Sequence, residues 1–123
     1  METDELSWRT KKLGVNIIKL VESLPSSRAG KFIGDHLLRS GLYVSVNYRA
    51  ACRSFSDTDF ISRLNFTIEY VDESLHWMEM LAEANIVSKN KLDLLMQEAN
   101  DLMSILTASA KTRRDELEGS GQP

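Results

Sequence analysis

The stretch Ser56-Asp57-Thr58-Asp59-Phe60-Ile61-Ser62-Arg63-Leu64-Asn65-Phe66-Thr67-Ile68-Glu69-Tyr70-Val71-Asp72-Glu73-Ser74-Leu75-His76-Trp77-Met78-Glu79-Met80-Leu81-Ala82 decides the fold. Its first four residues are a helix start: hydroxyl and carboxylate side chains that cap free backbone N–H groups, with acids where the helix dipole favours them. Ile61, Leu64, Ile68, Val71, Leu75, Met78 and Ala82 then recur in alternating steps of three and four. That is a heptad seam, the signature of one helix packing along others. Phe60, Tyr70, Trp77 and Leu81 widen the apolar face beyond the seam. Either this helix is central in a bundle, or its second stripe meets another subunit.

The same period extends in both directions. Upstream, Leu13, Ile17, Leu20, Val21 and Leu24 mark a helix over about 4–24, stopped by Pro25, which disfavours helical backbone in the residue before it. Ser26, Ser27 and Gly30 make the connection. A second helix over 29–53 places Ile33, Leu37, Leu38, Val44, Tyr48 and Ala51 inward. Its middle, Ser40 to Val46, is rich in small and β-branched residues and by propensity alone would suit a strand. A single strand would have nothing to pair with, so helix is the expectation. The quoted stretch supplies a third helix over 58–84. Residues 84–88 form a turn in which Ser88 is the expected cap, and Leu92, Leu95, Ala99, Leu102 and Leu106 mark a fourth helix over 89–112. The expected architecture is an all-α, antiparallel up-down-up-down four-helix bundle over residues 1–118, with 119–123 a disordered tail.

Composition narrows the function. At 123 residues the chain holds one core. One cysteine, Cys52, leaves no internal disulfide and no cysteine-built zinc site, which suits a reducing cytoplasm. The polar first twelve residues carry no secretory leader, and no apolar run reaches the roughly 18–20 residues of a membrane span. No membrane partner is expected. The net charge of −3 is unevenly spread: residues 1–55 hold nine Lys/Arg against five Asp/Glu, and residues 56–86 one against seven. Basic helices beside an acidic one account for this within a single bundle. The alternative is a basic face for a phosphate backbone, with Lys11, Lys12, Lys19, Arg28, Lys31, Arg49 and Arg53 as its candidates.

Catalysis is not expected. Glu73 and His76 have the Glu-x-x-His spacing of bundle di-iron sites, which use two such motifs. The other histidine, His36, has Ile33 three residues before it, so a carboxylate/His metal protein ranks last and no cofactor is expected. Cys52 has no neighbouring histidine and reads as a small packing residue. Arg39, Asn47, Glu69, Asp72 and Glu73 are the candidates for a polar core or interface network, an acid of helix three reaching Arg39 across the bundle. Tyr48, Tyr70 and Trp77 are candidate anchors of the core or of an interface.

Three blocks carry a family likeness: His36-Leu37-Leu38-Arg39-Ser40-Gly41 through Val46-Asn47-Tyr48-Arg49-Ala50-Ala51-Cys52, then Asp59-Phe60-Ile61-Ser62-Arg63-Leu64, then Asp72 through Leu81. Together they resemble the bacterial four-helix-bundle proteins first found encoded in intervening sequences of 23S ribosomal RNA genes. Arg63, His76 and Met78 stand where that pattern commonly has Lys, Tyr and Leu, and Val46 where it has a small residue. The resemblance implies a four-helix protomer assembled as a homopentameric ring. A similar group serves diversity-generating retroelements as an accessory to the reverse transcriptase, with a basic surface, which fits this acidic chain less well. Two functions are therefore carried forward. The first is a non-catalytic, self-assembling scaffold; the second is an accessory factor binding RNA, DNA or a nucleic-acid enzyme.

Overall fold

The computed structural model describes residues 3–120, which form four α-helices: α1 (Thr3–Glu22), α2 (Arg28–Cys52), α3 (Asp57–Glu83) and α4 (Lys89–Ser120). Short turns reverse the chain between successive helices. α2 packs closely on α3, α3 on α4 and α1 on α2, whereas α1 and α4 meet only sparsely. The result is a four-helix bundle with one loosely closed edge. No helix among the described residues is long and apolar enough to cross a membrane.

The seam of α3 sits at the centre. Leu64, Val71, Leu75 and Met78 are buried, while Ile61, Ile68 and Ala82 are half-buried. Thr67, Ser74 and Leu81 form a second buried row on the same helix. α3 lies between α2 and α4, so it needs both rows, and the extra width read from Leu81 follows from this central place. Leu13 and Ile17 of α1, Leu37 and Val44 of α2, and Leu92, Leu102 and Leu106 of α4 complete a core with no solvent contact. Truncating any of these to alanine costs about 2–5 kcal/mol.

The small-residue segment of α2 is helical throughout, because tertiary packing overrides strand propensity there. Gly41 is what lets α1 come close: a Cβ at that position would lie 2.5 Å from Ile17 Cδ1. Gly30 is required too, since its Cβ would stand 2.4 Å from the Pro25 carbonyl oxygen. Ser27 and Ser56 cap α2 and α3, their hydroxyls accepting from Gly30 N and Asp59 N at 3.1 Å each. α3 ends in a Schellman turn: Asn85 takes φ 58° and Ile86 N donates to Leu81 O at 2.9 Å.

Several boundaries differ from the sequence expectation. α1 ends at Glu22, and residues 23–24 form a tighter turn through Ser23 N to Leu20 O and Leu24 N to Val21 O. Ser88 contributes its carbonyl, accepting from Lys91 N at 3.0 Å, and no hydroxyl cap is formed. α4 does not end near 112 but continues to Ser120, through part of the expected tail. Its last turns are held by Lys111 to Asp115 (2.8 Å) and, across the bundle, by Arg113 to Asp57 (2.8 Å). Residues 121–123 of the expected tail lie outside the described residues.

Candidate functional site

The outer edge between α2 and α3 carries a row of rings. Phe32, on α2, lies 4.4 Å from His36 between ring centroids, and His36 lies 5.1 Å from Trp77 on α3. His76 meets Trp77 edge-on at 5.1 Å. Two turns further along α2, Tyr43 lies 5.4 Å from Tyr70, and Arg39 stacks over Tyr43 at 5.5 Å. Phe32 is 57% exposed, Phe66 48% and Tyr43 41%, and Val46 is exposed on the same helix as Tyr43. Tyr70 and Trp77 are half-buried against the core, as anchors with one open side. Tyr48 is buried in the core.

The expected polar network takes another form. Arg39 and Asn47 do share a face, but they bracket Tyr43: Arg39 lies over its ring, and Asn47 Nδ2 donates to its carbonyl at 2.9 Å. Arg39 makes no ion pair with an acid of α3 among the described residues. Glu69 and Asp72 face solvent. Glu73 accepts from Trp77 Nε1 at 3.3 Å one turn later, which tilts the indole along α3. Hydration of Arg39, Glu69 and Asp72 leaves little force to draw them together across the bundle.

The polar link inside the bundle uses residues the sequence does not flag. Ser40 Oγ and Ser74 Oγ are 2.8 Å apart between α2 and α3, both fully buried. One hydroxyl donates to the other, and the one that accepts spends its own proton within its helix, Ser40 on Leu37 O at 3.2 Å or Ser74 on Tyr70 O at 2.9 Å. Small hydroxyls in a heptad row are the only sequence signal, and a weak one. Another unflagged contact is Arg9 with Glu98, bridging α1 and α4 through Nε at 2.9 Å and Nη2 at 2.6 Å. The Glu98 hydrogen bond raises the Arg9 pKa above its ordinary value. Beside it a groove of about 560 Å³ runs between α1 and α4, where Leu20, Ile86, Val87, Leu94 and Leu95 meet Lys19 and Lys91.

The seven candidate cations separate into groups. Lys11, Arg49 and Arg53 line one cleft of about 290 Å³ between α1 and α2, together with Ser7, Thr10, Ser45, Tyr48 and Cys52. Lys19 lines the α1–α4 groove instead, while Lys12, Arg28 and Lys31 are exposed elsewhere. Helix azimuth decides this, because residues one apart on a helix point about 100° away from each other. Glu73 and His76 are occupied with the Trp77 ring system, and no cluster of three His, Cys, Asp or Glu forms among the described residues.

Fold and surfaces thus define a compact all-α bundle of helical hairpins with an aromatic edge and a basic cleft. The chain belongs to the 23S rRNA-intervening sequence protein family, whose profile it matches over residues 5–108. It is similar to the solved structure of a protein with unknown function from the S23 ribosomal protein family of Bacteroides thetaiotaomicron VPI-5482, at a TM-score of 0.84 and 22% identity. That match covers 90% of this chain and 99% of the other, and at such identity it concerns the fold. No curated protein matches the sequence.

Proposed function

We propose that the protein is a non-catalytic scaffold that assembles with copies of itself through the aromatic edge between α2 and α3, in a reducing cytoplasmic setting. The observation that supports this is the continuity of rings from Phe32 through His36 to Trp77, with Tyr43 against Tyr70 further along the edge and the exposed Phe66 one helical turn before Tyr70 on α3. Scattered exposed apolar residues are ordinary, but a contiguous aromatic strip flanked by polar side chains is the composition of an interface. Arg39 over Tyr43 adds the residue type most common at interface hot spots. The exposed Cys52 thiol is in keeping with a reducing compartment.

Family likeness makes a ring of five the expected stoichiometry. Light scattering coupled to gel filtration measures it directly, with a subunit mass of 13.9 kDa as the unit. Phe32→Glu combined with Phe66→Glu changes two exposed side chains, so the fold is retained and the assembly is lost. A wild-type protein that runs as a monomer across accessible concentrations removes the proposal. So does a double variant that keeps the wild-type mass.

A further inference from the structure

We propose that the cleft between α1 and α2 is a binding site for a phosphate group, held by the side chains of Lys11, Arg49 and Arg53. The site lies away from the α2–α3 edge and does not depend on self-association.

Three observations converge on it. Lys11 from α1 and Arg49 and Arg53 from α2 line one concave space of about 290 Å³, at the small end of the range for ligand pockets. No acidic residue lines that space among the described residues. Four cations elsewhere sit in ion pairs, Arg9 with Glu98, Arg63 with Asp59, Lys111 with Asp115 and Arg113 with Asp57, and the others stand on the surface; only in this cleft do three share one concave space among the described residues. Lys11, Arg49 and Arg53 take part in none of these pairs.

The negative end of the α2 dipole favours cations in its last turn and accounts for Arg49 and Arg53 individually. It does not account for Lys11, which sits in the middle of α1 and faces the same cleft. The terminal carbonyls of α2 are also already engaged: Arg53 N donates to Arg49 O and Ala50 O at 3.2 Å, and Ser54 N to Ala51 O at 3.1 Å. The guanidinium groups, one helical turn apart, are therefore free to present planar forks to an anion. A tetrahedral phosphate matches those forks with paired oxygens, and Lys11 closes the opposite wall as a point charge. The hydroxyl of Ser7 stands at the same cleft as a further donor. The shared chemistry is a phosphate oxyanion, carried either by a small phosphate compound or by the backbone of an RNA strand.

Two probes separate the sources: inorganic pyrophosphate by titration calorimetry, and a short fluorescent single-stranded RNA by anisotropy, both at low salt. The test variant is Lys11→Gln/Arg49→Gln/Arg53→Gln. The control, Lys12→Gln/Lys19→Gln/Lys31→Gln, removes the same charge from other surfaces. The expected result is at least about a tenfold loss of affinity in the cleft variant, with the control close to wild type. On RNA, the slope of log K against log salt is expected to become shallower by roughly 2, at about 0.7 for each phosphate that the three cations no longer neutralise. Pyrophosphate that binds and competes with RNA assigns the site to free phosphate groups; RNA binding without pyrophosphate binding assigns it to the strand. Wild-type protein that binds neither probe overturns the proposal, as do equal losses in both variants. Should the triple variant unfold, Arg53→Gln alone provides the same comparison.

Discussion

Alanine at Gly41 sets two effects of opposite sign against each other, and the structure says which is larger. In a helix interior alanine is favoured over glycine by about 0.8–1.0 kcal/mol. Against that, the new Cβ would lie 2.5 Å from Ile17 Cδ1, 2.9 Å from Cγ2 and 3.2 Å from Cβ. Ile17 has no solvent exposure, and its β-branch leaves it few alternative rotamers. Cδ1 can swing aside, but Cγ2 and Cβ cannot, so α1 and α2 must move apart. Overpacking of this kind costs about 1–3 kcal/mol, more where rigid atoms collide. Gly14 lies at the same crossing, where a Cβ would stand 3.6 Å from the Gly41 carbonyl oxygen, so sliding the helices gives no easy relief. The expected net effect is a loss of about 1–2 kcal/mol, or roughly 3–5 °C in Tm for each kcal/mol in a chain of this size. Urea unfolding followed by circular dichroism at fixed protein concentration reads it. Ile17→Ala removes Cδ1 and Cγ2, the two nearest atoms of the clash, and alone costs about 2–5 kcal/mol. Combined with Gly41→Ala it is expected to cost less than the sum by at least about 0.5 kcal/mol, because those atoms no longer meet the new Cβ. A Gly41→Ala variant stabilised by the helix-propensity gain alone would refute the close-approach argument.

Three further substitutions test other contacts. Glu98→Gln breaks the charge-assisted bond to Arg9; with side chains 16% and 33% exposed, the loss is about 1 kcal/mol after screening. Because α1 and α4 otherwise meet sparsely, hydrogen exchange is expected to rise in α1 while the centre of α3 stays protected, and uniform exchange would count against this. Ser74→Ala removes the buried link to Ser40 and is expected to cost about 0.5–1.5 kcal/mol, with Ser40→Ala/Ser74→Ala little worse, since both report one shared bond. Full additivity in denaturant midpoints would show that the two hydroxyls act separately. Ser56→Ala deletes the acceptor for Asp59 N and is expected to lower stability by about 1 kcal/mol; an unchanged midpoint would mean that the acids of the first turn suffice.

Helix count and order were legible because each rests on local chemistry. Pro25 stops α1, Ser56 caps α3, and the three-four spacing of Leu64, Val71, Leu75 and Met78 has only a helical solution. The end of α4 was not legible. Past residue 112 the helix is held partly by Arg113, which reaches Asp57 on α3 and lies 4.1 Å over the Phe60 ring, partners more than fifty residues away in sequence. The candidate site divided along the same line. Residue types marked Lys11, Arg49 and Arg53 as basic and Trp77 as an anchor. They could not say that Lys12 and Lys31 leave the cleft or that Arg39 turns to Tyr43 instead of an acid of α3.

What the sequence determined by itself, then, is what is set within a few turns of one helix: its period, the start of α3 at Ser56 and the width of its apolar face. What only the tertiary structure decided is the relative rotation and spacing of the helices. That rotation pairs Ser40 with Ser74, opens the α1–α4 edge, lines up Phe32, His36 and Trp77, and gathers three cations around one cleft. The physical reason is that hydrophobic burial sets each helix azimuth to within its apolar stripe. Close contacts such as Gly41 against Ile17 then select a single rotation within it, and the polar side chains on the flanks follow.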